Sequence, residues 1–233
     1  HGSLGKDRVV LHPDNKVMAE MLSRAGYRTA AFSASPFIHP DFGFGQGFDV
    51  FGFAASERAE NLNTMVMDYL DEMGEGPHFM YIMYFDPHFP YEPPEGYGER
   101  FRNGPDGKPL WSAGRVAPVT GLYDLGATVD RETFEWMRSM YDGEIAYADL
   151  HFGKLIDELA ARGLLDRSAL VVTSDHGEEF LEHGGFGHGN TLYDEALHVV
   201  RRVRPPGGAG EPVRVGRNVE QVDILPTLFE LAG

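Results

Sequence analysis

The chain has 233 residues, 42% of them hydrophobic, which is enough to bury one substantial core. Its formal net charge of −16 argues against a nucleic-acid partner, because phosphate backbones recruit basic surfaces. No apolar run approaches the roughly 18 residues of a membrane span, and with no cysteine the chain forms no disulfide of its own.

Helical and strand patterns alternate, the mark of an α/β layer fold. Asp14 can cap a helix that puts Val17, Met21, Leu22 and Ala25 on one face, with Gly26 past its end, and Tyr27 to Ser33 then reads as a strand. Gly43-Phe44-Gly45-Gln46-Gly47 lacks the dinucleotide-binding spacing and reads as a turn. Ser56 can start a second helix with Leu62, Val66, Tyr69, Leu70 and Met73 on one face, followed by a strand from His78 to Phe85. From Glu92 to about Asp130 the Gly and Pro spacing gives no period, so a long irregular excursion is expected there, of the kind that sets specificity. A long helix from Asp130 to Arg162 follows, with Phe134, Met137, Tyr141, Ile145, Ala148, Phe152, Leu155, Ile156 and Leu159 as its apolar positions. It leads into a strand from Leu170 to Ser174. There is no internal repeat and no low-complexity linker.

Three strand ends carry chemistry: Ser33 to Pro36, Asp86 to His88, and Asp175 to His176. If the strands His78 to Phe85 and Leu170 to Ser174 are central in one parallel sheet, those ends share an edge, which is where α/β folds place ligands. Asp175-His176 offers a hard oxygen and an imidazole nitrogen, and the glycines after it let the chain turn back so that a further histidine reaches the same place. In Asp86-Pro87-His88 the proline fixes the backbone and presents His88 outward, suited to donating a hydrogen bond to an anionic oxygen. His188 can donate to an anion or act as general acid. His183 contacts substrate or ends a short helix, and His198 lies on the edge of a following strand. Glu178 and Glu179 are expected to be solvated or to support the ligating residues from behind.

Thr173-Ser174-Asp175-His176-Gly177-Glu178-Glu179 with Glu182-His183-Gly184, followed by Gly187-His188-Gly189-Asn190-Thr191-Leu192-Tyr193-Asp194-Glu195-Ala196-Leu197-His198-Val199, resembles the metal-ligand and substrate-loop segment of the sulfatase family in the alkaline-phosphatase-like superfamily. Upstream, Ala19-Glu20-Met21-Leu22, Ala25 to Phe32 and Gln46-Gly47-Phe48-Asp49 are similar to the segment that follows the family's nucleophile region. Asp86-Pro87-His88-Phe89-Pro90-Tyr91 is similar to its middle histidine motif, and Val222 to Leu228 to a late helix. The order is collinear. The resemblance implies an alkaline-phosphatase-like α/β sandwich with a mostly parallel central sheet flanked by helices.

The resemblance also implies a reaction. Family members hydrolyse sulfate esters with one divalent cation, most often Ca²⁺, held by Asp175, His176 and two further carboxylates, while His88 and His188 serve the sulfate oxygens and the leaving group. Hard oxygen donors fit Ca²⁺ or Mg²⁺, and the imidazole of His176 also admits Mn²⁺. His183, His198 and Glu178 would contact the substrate or stand behind these groups. The family's Cys-x-Pro-x-Arg or Ser-x-Pro-x-Arg motif, whose first residue becomes formylglycine, does not occur here, so the chain is expected to be an internal part of a catalytic domain, inactive alone. Two departures stand out. Ser33-Ala34-Ser35-Pro36-Phe37-Ile38 replaces a Gly-Lys-Trp-His segment, and Arg201-Arg202 falls where an apolar strand is expected, so that strand is exposed or the site has changed. Phosphoester or phosphonate hydrolysis, phosphoryl-type transfer, and a non-catalytic metal-binding module are the alternative readings.

Overall fold

A computed structural model describes residues 10–112, 129–208 and 210–232. Residues 113–128 of the irregular excursion lie outside the described residues. The chain divides into two compact units, one running to Phe152 and one from Gly153 onward.

In the first unit the order is α1 (Met18–Arg24), β1 (Arg28–Ser33), β2 (Val50–Phe53), α2 (Ala59–Glu72) and β3 (His78–Met83), followed by most of α3 (Arg131–Ala161). The three strands form a parallel sheet in the order β2-β1-β3. The middle strand is β1, because Ala30 and Ala31 are small enough to be fully enclosed while Phe32 fills the layer beside them. The strand from His78 is therefore an edge strand among the described residues, not the central one expected, and its Tyr81 is accordingly exposed. Leu62, Val66 and Leu70 of α2 supply the core as the spacing predicts. Neither Asp14 nor Ser56 caps its helix. Val17 and Arg58 stand at those N-caps without side-chain bonds, and Ser56 takes a left-handed φ of 57°. The Gly43 to Gly47 stretch is a turn, with Gly43 and Gly47 at positive φ. At Gly47 a Cβ would lie 2.3 Å from the Glu20 backbone nitrogen, so only glycine fits.

Helix α3 buries Met137, Met140, Glu144, Tyr147, His151, Leu155 and Leu159, a stripe at helical spacing. This face is rotated from the apolar pattern, since Ile145 is exposed and Glu144 lies inside. Two glycines explain the choice. A Cβ at Gly143 would meet Gly98 backbone at 2.8 Å and one at Gly98 would meet Met140, so the loop after β3 packs directly against α3.

In the second unit, β4 (Leu170–Thr173) pairs antiparallel with β7 (Arg201–Arg204), and β5 (Glu179–Phe180) pairs with β6 (Phe186–Gly187) as a short hairpin. Among the described residues the strand from Leu170 pairs only with β7, against the expectation of a sheet shared with β3. The Arg201-Arg202 question is resolved by exposure: Arg202 and Val203 face solvent, Arg201 donates to the Glu220 carbonyl at 2.6 Å, and Arg204 donates to Leu165 and Asp166. After α4 (Asp194–Leu197) and β7, a capping box of Glu220 and Asp223 starts the turn into α5 (Ile224–Ala232). Among the described residues no helix is long and apolar enough to cross a membrane.

Candidate active site

The second unit builds its site at the end of β4. The chain leaves the strand at Ser174, and Asp175 and His176 follow on a turn whose carbonyls are held from outside: Gln221 donates its amide to both Ser174 O, at 2.8 Å, and Asp175 O, at 2.9 Å. Asp175 Oδ1 accepts from the His176 amide at 3.1 Å, and its Oδ2 lies 3.7 Å from His176 Nε2. His176 Nδ1 donates to the Gly177 carbonyl at 2.8 Å, which makes Nε2 the lone-pair nitrogen on the carboxylate side. Gly177 in turn donates to Ala196 O at 2.8 Å, and a Cβ there would be 2.0 Å from Glu195 O. That glycine is required for α4 to approach the Asp-His turn.

The β5–β6 hairpin then returns His188 to the same place. Its imidazole stacks on that of His176 with centroids 3.8 Å apart, and its Nδ1 donates to Glu178 Oε1 at 2.8 Å. The side chains of His188 and Glu178 are only 8% and 5% exposed, so this hydrogen bond is shielded from water. Neither glutamate is solvated, contrary to that part of the sequence reading. Glu178 binds the candidate catalytic histidine, and Glu179 is a fully buried knot of the hairpin, accepting from the Gly185 and His183 amides and the Thr191 hydroxyl. Burial alone would raise the Glu179 carboxyl, but these donors and the His183 imidazole outweigh it and hold its pKa below the ordinary value.

His183 does not end a helix. It sits in the hairpin turn, stacks on Tyr193 with centroids 3.7 Å apart, and places Nε2 3.4 Å from Glu195 Oε2. His198 is not on a strand but exposed at the end of α4, where its amide donates to Asp194 O; among the described residues no side-chain contact joins it to His176 or His188. Gln221 escaped sequence reading altogether, since nothing in its neighbourhood marks it as polar support for a turn more than forty positions earlier.

The first unit places its candidate differently. Past β3, Asp86 Oδ2 accepts from the Ala59 amide at 3.0 Å, capping α2 from a distance, and burial raises the Asp86 carboxyl. His88 stacks on Phe85 with centroids 4.4 Å apart, lies tilted against Phe37, and donates Nδ1 to the Phe89 carbonyl at 2.6 Å. Asp86 thus caps α2, and His88 stands two positions beyond it at this strand end. Ser33 and Ser35, in place of the charged family residues, bond mainly to their own turn.

Among the described residues no group of three or more His, Asp or Glu side chains is arranged to hold a metal ion. The Asp175 oxygen and His176 nitrogen nevertheless fit two neighbouring positions of one coordination sphere: the donor types suit a hard or borderline cation, and a 3.7 Å separation needs little closure to meet it.

The chain is similar to several curated proteins. "Uncharacterized sulfatase YidJ" of Escherichia coli (strain K12) is 25% identical over 193 residues, covering 75% of this chain and 36% of that protein. Arylsulfatase K of Xenopus laevis is 30% identical over 178 residues, covering 67% of this chain and 32% of that protein. The chain thus spans about a third of the length of these relatives. Among solved structures, the phosphonate monoester hydrolase from Silicibacter pomeroyi superimposes with a TM-score of 0.71 at 20% identity, over 95% of this chain and 58% of that one. A protein solved in complex with its substrate D-glucosamine-2-N,6-O-disulfate gives 0.65 at 18%, over 97% and 63%. These matches establish the alkaline-phosphatase-like α/β fold. The family model described as Sulfatase matches residues 1–233, and with a match running the whole length, the chain belongs to the sulfatase family.

Proposed function

We propose that the protein is a metal-dependent hydrolase of sulfuric esters, in which Asp175 and His176 ligate the cation and His88 and His188 serve the substrate. The observation that carries this reading is the stacked His176 and His188 pair, with Glu178 behind it, at the end of β4. A cation bound there, Ca²⁺ in our reading, would polarise a sulfate oxygen and draw off its charge. Glu178 holds the proton on His188 Nδ1, so Nε2 is the nitrogen that delivers or takes a proton at the leaving-group oxygen. The Phe89 carbonyl likewise occupies Nδ1 of His88, and its ring donates from Nε2 to an anionic oxygen when it is charged. The family's Cys-x-Pro-x-Arg or Ser-x-Pro-x-Arg motif does not occur in residues 1–233, so this reading assigns the nucleophile to none of them.

A second reading is phosphonate or phosphate ester hydrolysis, favoured by the phosphonate monoester hydrolase among the structural neighbours. The test is the ratio of kcat/KM for nitrophenyl sulfate to that for a phenylphosphonate monoester in the full-length protein. A preference for the sulfate supports the first reading, a preference for the phosphonate the second, and loss of the favoured activity in Asp175→Ala ties either to this site. Failure of the full-length protein to hydrolyse either ester would overturn both.

A further inference from the structure

The most unusual group in the first unit lies in none of the motifs. Glu144, on the fourth turn of α3, is 5% exposed, yet its carboxyl faces the chain just beyond His88. Oε1 accepts from the Glu92 amide at 2.7 Å, while Oε2 is buried and, among the described residues, has no hydrogen-bond partner. Around this contact the segment is laid along α3: Tyr91 packs edge-on to Tyr141 and Tyr97 edge-on to Tyr147, each with centroids 5.2 Å apart, and Gly98 crosses Gly143.

We propose that Glu144 is a positioning residue for His88: its buried carboxylic acid anchors the Glu92 backbone to α3 and so fixes the Asp86 to Glu92 segment that carries the imidazole. The role of His88 rests on the function proposed above, whereas the anchoring does not. Geometry favours the neutral acid, because an ionised carboxylate here would be a buried charge held by one amide, costlier than a neutral carboxyl in the same place. The groups facing it agree. Asp86 and Glu92 oppose ionisation, Arg58 favours it, and Tyr147 one turn along faces Glu60, Asp86 and Arg58. Burial is the largest influence, pushing Glu144 up to about 8. Since the folded value lies above that of the released segment, the anchor is strongest below the ordinary glutamate range and weakens as pH rises toward about 8.

The experiment is amide hydrogen exchange at Glu92 across pH in the full-length protein, corrected for intrinsic rates, beside turnover. Wild-type protection is expected to fall about tenfold or more between about pH 5 and pH 8.5, while E144Q, a neutral isostere that keeps the acceptor, stays within about twofold across that range. E144A should lose protection at every pH and lower kcat more than it changes KM, and E144Q should restore kcat. Flat wild-type protection, or E144Q tracking the wild type, overturns the anchor. His88→Ala separates the two ideas: lost turnover with Glu92 protection intact supports both, and unchanged turnover removes the role of His88 while the exchange result still decides the anchor. Should E144A lose protection yet keep full kcat while His88→Ala does not, positioning is overturned.

Discussion

Glu178 and His188 are ten positions apart in sequence and 2.8 Å apart in space, joined through a hairpin that buries both side chains. A shielded carboxylate on one ring nitrogen fixes the tautomer and aim of the other. His188→Ala is expected to lower kcat by about 100-fold or more, the usual scale of general acid catalysis. Glu178→Ala should lower kcat by about tenfold or more with little effect on KM, and steady-state kinetics on both variants checks this. Full activity in Glu178→Ala would remove the pair from the mechanism.

Metal content separates ligands from substrate groups. Asp175→Ala should lower both bound metal and turnover, whereas His88→Ala and His188→Ala should lower turnover with about one metal retained per chain. Elemental analysis of each purified variant reads this directly. Metal loss in His188→Ala would make the stacked imidazole a ligand and move the assignment toward a two-metal phosphoryl-transfer site.

Glu179 makes the hairpin sensitive to acid. Its folded pKa is held low, so its contribution is fully present above the unfolded value of roughly 4.3 and is lost as pH falls through the folded one. Melting temperature should therefore drop on acidification, with a smaller drop in Glu179→Gln. Glu179→Ala leaves the Gly185 and His183 amides and the Thr191 hydroxyl short of an acceptor, at about 1–3 kcal/mol for each group left unpaired. Denaturant titration would expose an error if that variant proved as stable as the wild type.

Two glycines should respond very differently to alanine. Gly47 has a φ of +79° and a Cβ site 2.3 Å from the Glu20 nitrogen, so Gly47→Ala must move α1 and should cost about 3 kcal/mol or more. Gly26 has a φ of +90° with nothing within 4 Å, so Gly26→Ala bears only the backbone term, about 1 kcal/mol. Equal losses in chemical denaturation would contradict this contrast.

The sequence by itself determined the element types, the family and the Asp175-His176 pair, because apolar period, glycine position and motif order are local properties written along one chain. Helices α2 and α3 and strands β1, β3 and β4 stand within a few residues of where the pattern puts them. Tertiary structure decided what those elements face. The apolar pattern of α3 could not announce that Glu144 turns inward, since a buried carboxyl is tolerated only where a loop brings it a backbone amide. Likewise Glu178 and Glu179 are adjacent and chemically alike, yet one holds His188 and the other ties the hairpin, a division set by which donors fold onto each side of β5. Strand pairing was not legible either. The run Leu170 to Thr173 carries the same apolar signal whether it joins β3 or β7, and the choice belongs to hydrogen bonds between segments far apart in the chain.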